Sequence, residues 1–289
     1  MASQSYPIPG EAGASPGEVL PQGEIQPAYD AYDSPWRVVG ASVQGLSHTK
    51  QGLPCQDAQA SRTLVVAGLP VVMIAVADGA GSAENSDLGA QLAVETALDA
   101  LESSLTSDSI PDTQEELLRL AFEQSRQALV DRADLDELPL RSLAATLTLA
   151  IGISTQSAGF LAVGQIGDGA VVALMDDEDL VIVTHPQRGE YANETVFLTG
   201  EEAIEQVKYE VISRPVKGLA VMSDGLLRLA LRLPLNEPHE PFFKPLFAFA
   251  MAAKDAEEAS RQLAGFLASE RVSARTDDDK SLVLAVRVS

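Results

Sequence analysis

From Trp36 onward the chain is a succession of short apolar runs, each closed by turn residues. Trp36 to Val43, Gln59 to Val66 and Val71 to Ala77 read as strands. The last is apolar without a break, as a strand covered on both faces would be. The period then lengthens. Ala90, Ala93, Val94, Ala97, Leu98 and Leu101 recur at helical spacing and predict a helix from about Ser86 to Leu101, with Ser86 as its cap. A second helix is expected after Pro111, where Thr113 and Glu116 have the spacing of a capping box ahead of Leu117, Leu118, Leu120 and Phe122. Residues 143–153 predict a buried strand, followed by strands at 158–166, 170–175 and 179–184. Residues 185–206 are polar and irregular, the composition of a flap over a site. Strands at 208–213 and 219–223 follow, then an alanine-rich helical region over roughly 242–269 interrupted near Lys254-Asp255, and a closing strand at 282–288. Strands, two helices and then a meander of strands make an α+β order, which favours helices packed on antiparallel sheets over alternating parallel units.

The first 35 residues lack this pattern. They hold six prolines and four glycines with almost no aliphatic clusters, so residues 1–35 are expected to be a disordered Pro/Gly-rich tail. Residues 36–289 suit one large domain, with no second linker in view.

With 20 Lys plus Arg against 42 Asp plus Glu, the formal net charge is −22. A chain this acidic is repelled by phosphate backbones and anionic lipid, so neither nucleic acid nor a membrane surface is an expected partner. Cys55 is the single cysteine, which excludes an intrachain disulfide. The N-terminus has no basic region followed by an apolar core, and no apolar run approaches the roughly 18 residues of a membrane helix. A cytoplasmic protein is the expectation. Nothing in the pattern speaks to oligomeric state.

Three apolar runs stop on an aspartate beside glycine: at Asp78-Gly79, at Gly167-Asp168-Gly169 and at Asp224-Gly225. A fourth cluster, Asp277-Asp278-Asp279, precedes the last strand. An aspartate at a strand end points into whatever site forms at that edge of the sheet, and glycine beside it allows a sharp turn and close backbone approach. Gathered carboxylates repel, by about 4 kcal/mol for a pair about 4 Å apart at an effective dielectric near 20. Divalent cations are the usual means of holding such a group together. The chain reads as a metal enzyme.

Gln56-Asp57-Ala58, Ala77-Asp78-Gly79-Ala80-Gly81-Ser82, Gly167-Asp168-Gly169, Ser223-Asp224-Gly225 and Asp278-Asp279-Lys280-Ser281 occur in that order. They resemble the motifs of the metal-dependent PPM-type (protein phosphatase 2C-like) serine/threonine protein phosphatases. Ser47-His48 followed by Pro54-Cys55-Gln56-Asp57-Ala58, and the segment from Gly189 to Thr195, resemble the compact bacterial branch. The resemblance implies a four-layer α-β-β-α sandwich, two antiparallel sheets flanked by helices, with a two-metal site at one end. It implies Mn²⁺ or Mg²⁺ as cofactor, since hard oxygen ligands select these ions over zinc. By position Asp78 would bridge two ions and the Gly79 carbonyl would ligate one. Asp224 and Asp278 would complete the first ion's shell, Asp57 would bind metal or its waters, and Asp168 would help hold a third, looser ion. Asp57, Asp78 and Asp224 would thus carry catalysis: hydrolysis of phosphoserine and phosphothreonine in proteins by a water bridging two ions. A phosphorylated protein is the implied partner.

The chain departs from the family pattern in three places. Many members have Glu where Gln56 stands, an Arg that grips the substrate phosphate where Gly52 stands, and some a His where Ala80 stands. His48, Lys50 or Arg37 could take the phosphate role, and His48 is the candidate phosphate-binding residue. These departures motivate a rival, a pseudophosphatase that binds phosphorylated partners without turnover; a phosphatase of small phosphorylated metabolites is a third reading. Among blander readings, Gly167-Asp168-Gly169 also suits a hairpin turn. Asp176-Asp177-Glu178-Asp179 reads as a solvated turn, and Cys55 as a small packing residue.

Overall fold

The computed structural model describes residues 35–106, 113–154, 159–187, 195–232 and 234–288. The tail except Pro35, and all of the branch-specific segment from Gly189 except Thr195, lie outside the described residues.

In chain order the elements are β1 (Trp36–Val43), α1 (Leu46–Gln51), β2 (Asp57–Val66), β3 (Leu69–Asp78), α2 (Ser86–Thr106), α3 (Gln114–Leu135), β4 (Leu147–Ser154), β5 (Gly159–Ile166), β6 (Ala170–Met175) and β7 (Leu180–Thr184). They continue with β8 (Lys208–Ile212), β9 (Val216–Met222), α4 (Leu227–Ala230), β10 (Leu231–Arg232), β11 (Glu237–Pro238), α5 (Glu240–Ala252), α6 (Ala256–Leu267), α7 (Glu270–Ser273) and β12 (Lys280–Arg287). Two antiparallel five-stranded sheets form, in the orders β1-β12-β9-β6-β7 and β2-β3-β4-β5-β8.

Strand periodicity explains the layers. Along β3, Val72, Ile74 and Val76 point into a core shared with the other sheet, while Val71, Met73, Ala75 and Ala77 point to α2 and α3. Along β12, Val283 and Ala285 enter the same central core, and Leu282, Leu284 and Val286 pack under α5 and α6. A strand buried on both faces has no polar side to alternate with, hence the unbroken apolar runs. The three cores are the three interfaces of a helix-sheet-sheet-helix sandwich, the fold class expected from the motifs.

Local signals account for most element ends. The Thr113 side chain accepts a hydrogen bond from Glu116 N at 3.1 Å, capping α3. Asp255 accepts from Glu257 N and Glu258 N and starts α6 where the helical region was expected to break. Three expectations need correction. Ser86 is the first residue of α2 rather than its cap, with its hydroxyl buried and without a hydrogen-bond partner among the described residues. The strand expected from 143 begins at Leu147, because Leu140–Leu143 forms a 3₁₀ turn and Ala145 makes a single bridge to Gly79. The short α1 and the β10-β11 ribbon were not foreseen; neither is long enough to show a period.

Candidate metal centre

The hairpin of β2 and β3 sets the first two carboxylates. Its two-residue turn, Ala67-Gly68, has φ of 50° and 79°, the positive values that match the twist of flanking strands. The turn fixes Val66 opposite Leu69, and the ladder runs without a bulge to Asp57 opposite Asp78. A slip of one residue would turn β2's side chains to the other face. Thr146 brackets Asp78: its hydroxyl accepts from Asp78 N at 2.9 Å and its N–H donates to the Asp78 carbonyl at 2.8 Å.

Asp168 stands in the turn between β5 and β6. Gly167 there has φ of 107°, a conformation side chains disfavour. Two buried glutamines hold this turn: Gln187 Oε1 accepts from Gly167 N at 3.0 Å, and Gln165 Nε2 donates to the carbonyls of Gly167 and Gly169. Asp224 follows β9. A Cβ on the neighbouring Gly225 would lie 1.9 Å from the Asp279 carbonyl oxygen, so only glycine lets the Asp224 turn pack against the loop before β12.

These elements bring Asp78, Asp168 and Asp224 together, with one carboxylate oxygen of each within 4.8 Å of the others. Burial is the largest cause pushing the Asp78 carboxyl well above its ordinary range, followed by repulsion from Asp57, Asp224, Asp278 and Asp168. Burial likewise raises Asp224 to about 7, with repulsion from Asp168, Asp278 and Asp57 added. Asp168 is raised mainly by burial, against the hydroxyl of Thr195, which donates to Oδ2 at 2.9 Å. Asp168 Oδ1 is buried with no hydrogen-bond partner among the described residues. An all-oxygen donor set, mutually repelling and with one orphaned acceptor, fits a hard divalent cation.

Asp57 and Asp278 flank this trio. Asp57 is buried, accepts from Ser223 Oγ at 2.7 Å, and is raised to about 7 mainly by burial. Ser223 Oγ in turn accepts from Ser281 N at 2.9 Å. Asp278 is exposed and contributes repulsion to Asp78, Asp168 and Asp224. The neighbouring Asp279 is 2% exposed and engaged elsewhere. It accepts from Gly45 N at 2.6 Å, from Gln56 N at 2.5 Å and from His48 Nδ1 at 2.9 Å.

The structure therefore gathers Asp57, Asp78, Asp168, Asp224 and Asp278 at one end of the sandwich. Gly79 adjoins them, its N–H donating to the Gln56 carbonyl at 3.0 Å. His48 is placed beside them but its Nδ1 is committed to Asp279. Arg37 lies elsewhere, donating to the Ala250 and Met251 carbonyls at the end of α5. Thr146, Ser223, Gln165, Gln187 and Asp279 support the site; Ser223 and Asp279 stand within the motifs, while Thr146, Gln165 and Gln187 carried no signal of their own. Ser223, directly before Asp224 at a strand end, was the most readable of them.

Residues 44–268 match the protein phosphatase 2C family. Serine/threonine-protein phosphatase 3 of Escherichia coli (strain K12) is 36% identical over 255 residues, covering 87% of this chain and 98% of that protein. Among solved structures, the catalytic domain of the serine/threonine protein phosphatase PstP in complex with two manganese ions superposes with a TM-score of 0.57, at 18% identity over 88% of this chain and 99% of that one. The serine/threonine phosphatase Stp1 of Staphylococcus aureus gives 0.55, at 12% identity over 92% of this chain and 99% of that one. This chain belongs to the protein phosphatase 2C family. Its class is that of the serine/threonine protein phosphatases. No helix among the described residues is long and apolar enough to cross a membrane.

Proposed function

We propose that this protein hydrolyses phosphoserine and phosphothreonine in other proteins with the help of two Mn²⁺ or Mg²⁺ ions, from a cytoplasmic location. The carrying observation is the convergence of Asp78, Asp168 and Asp224 within 4.8 Å, with Asp168 Oδ1 lacking a hydrogen-bond partner among the described residues. Asp78, Asp168 and Asp224 would hold the ions, with Asp57, the Gly79 carbonyl and Asp278 completing their surroundings. The two manganese ions of the PstP catalytic domain, a protein of the same fold, support this reading. When bound, such ions supply an activated water and neutralise charge on the phosphoryl group.

The chain's own groups do the positioning. Thr146 fixes the backbone of Asp78, Ser223 orients the Asp57 carboxylate, and Asp279 ties Gln56 and His48 to the loop that presents Asp278. Burial and the nearby Asp279 and Asp57 push the Cys55 thiol up to about 12, which disfavours the thiolate a cysteine nucleophile would need. Gln56 is buried, so the side chain that replaces the family's Glu removes a charge from inside the site and not from its rim. That observation sustains the rival, a pseudophosphatase that binds phosphorylated partners.

Comparing phosphate release from a phosphothreonine peptide and from small phosphorylated metabolites, both with Mn²⁺, separates the readings. Preferential turnover of the peptide is expected. Turnover of metabolites alone, or tight peptide binding in calorimetry without release, would overturn the assignment.

A further inference from the structure

Two clefts flank the carboxylates, and their walls differ in charge. The cleft beside Asp57, of about 390 Å³, is walled by Cys55, Gln59, Asp87 and Glu95, with no cationic side chain among the described residues. The other, of about 350 Å³, runs from Asp224 and Asp278 past Thr276 to Arg228 and Arg275. Arg228 comes from α4, four residues after Asp224, and Arg275 from the loop three residues before Asp278. Both side chains are exposed, and neither forms an ion pair or hydrogen bond among the described residues.

The simplest account of an arginine beside acidic residues is charge neutralisation, and this chain does use arginine so. Arg62 pairs with Asp99 and Glu102, Arg132 with Asp136, and Arg261 with Glu257 and Glu258. Arg228 and Arg275 have carboxylates as cleft neighbours and pair with none of them. Two free guanidiniums in one cleft present planar forks of donors, a geometry that matches carboxylate or phosphate oxygens. A net charge of −22 works against anionic substrates at long range, so a local cationic wall is what can favour one.

Resting on the phosphatase reading, we propose that Arg228 and Arg275 form a substrate subsite that binds an anionic side chain next to the phosphorylated residue. The substrates it selects are phosphoserine or phosphothreonine segments flanked by Asp, Glu or a second phosphate. Each arginine is tied by sequence to a carboxylate of the metal centre, which limits its reach to near neighbours of the reacting phosphate. Exposed charges are screened within about 10 Å at 0.1 M salt, so the selectivity weakens as salt rises.

The test is kcat/KM with Mn²⁺ for four phosphothreonine peptides that differ only in flanking residues: Asp, Ala, Lys, or a second phosphothreonine. Wild type is expected to favour the Asp and doubly phosphorylated peptides over the Ala peptide by about tenfold, the size of one good charge-assisted contact. The ratio of these two arms tells whether carboxylate or phosphate is the better ligand. Arg228→Ala/Arg275→Ala should bring the Asp-to-Ala ratio close to one, and Arg275→Glu should shift preference toward the Lys peptide. Both side chains are exposed and unpartnered, so these variants carry no folding defect to confuse the result. Equal wild-type rates on all four peptides, or a preference unchanged in both variants, overturns the subsite while leaving the phosphatase intact. No Mn²⁺-dependent release from any peptide by wild type overturns the phosphatase reading itself, and the subsite with it.

Discussion

Asp57 and Asp78 are direct cross-strand partners at the end of the β2-β3 ladder. Like charges in that relation destabilise a sheet, and both groups are also held away from water. The arrangement makes sense as a binding site whose ligand is cationic, since the same repulsion that weakens the empty site strengthens metal binding.

Replacing Asp57 by Asn separates the two effects. The amide oxygen can still accept the Ser223 hydroxyl, so the hydrogen bond at 2.7 Å has a substitute. Asp57 lies outside the trio of converging oxygens, and losing such a supporting group typically costs about 10–100-fold in metal affinity or activity. The metal-free Asp57→Asn protein should be more stable than metal-free wild type at pH 8. Urea denaturation with EDTA, and Mn²⁺ titration by calorimetry, check both statements.

The raised carboxyls fix the sign of a pH effect. Asp57 and Asp224 titrate in the folded protein near 7, against about 3.9 in an unfolded chain. Between those values the folded state binds more protons than the unfolded one, so metal-free stability falls as pH rises from about 4 through 7, and the raised Asp78 carboxyl acts in the same direction. Metal ions compete with those protons, so the rise in Tm caused by Mn²⁺ should be larger at pH 8 than at pH 6. Differential scanning fluorimetry at both pH values, with and without Mn²⁺, measures it; an equal shift would contradict the account.

Asp279 knits the site's scaffold. Its carboxylate receives Gly45 N, Gln56 N and His48 Nδ1, joining the β1-α1 loop and the strand start at Asp57 to the loop before β12. Asp279→Ala leaves three buried donors without their acceptor and should cost about 3 kcal/mol or more in urea denaturation. Metal affinity should fall as well, because the segments bearing Asp57 and Asp278 lose their link. An exposed residue of the same run, Asp277→Ala, should change stability by less than about 0.5 kcal/mol.

The domain boundary is testable at single-residue precision. The Pro35 carbonyl accepts a hydrogen bond from Val288 N at 2.6 Å, pinning the start of β1 to the end of β12. Deleting residues 1–34 should leave Mn²⁺-dependent phosphate release unchanged. Extending the deletion through Val39, which is fully buried, should destroy the fold.

How much of this was legible beforehand follows from the range over which each signal acts. Strand runs ending on Asp-Gly, the Thr113 cap and the Asp255 break are written in a few adjacent residues, and each is present in the structure. The pairing of β1 with β12 is not, because no local pattern says which distant strand closes a sheet. The same holds for Asp279. In the run Asp277-Asp278-Asp279 the three residues are chemically identical, and only packing against Gly45 and His48 makes one a buried acceptor while its neighbour stays exposed. Gln187 reads as an ordinary polar position, yet its side chain holds the Asp168 turn from about 20 residues away, accepting from Gly167 N and donating to the Gln165 carbonyl.

The central claim is that metal held at the aspartate cluster drives phosphate release. The most direct measurement is release from a phosphothreonine peptide by wild type with Mn²⁺, by wild type with EDTA, and by Asp224→Asn with Mn²⁺. Asp224→Asn removes a member of the trio and should lower the rate by at least about a hundredfold, with circular dichroism unchanged, and EDTA should abolish it. Wild-type rates in EDTA or in the Asp224→Asn protein would contradict the account.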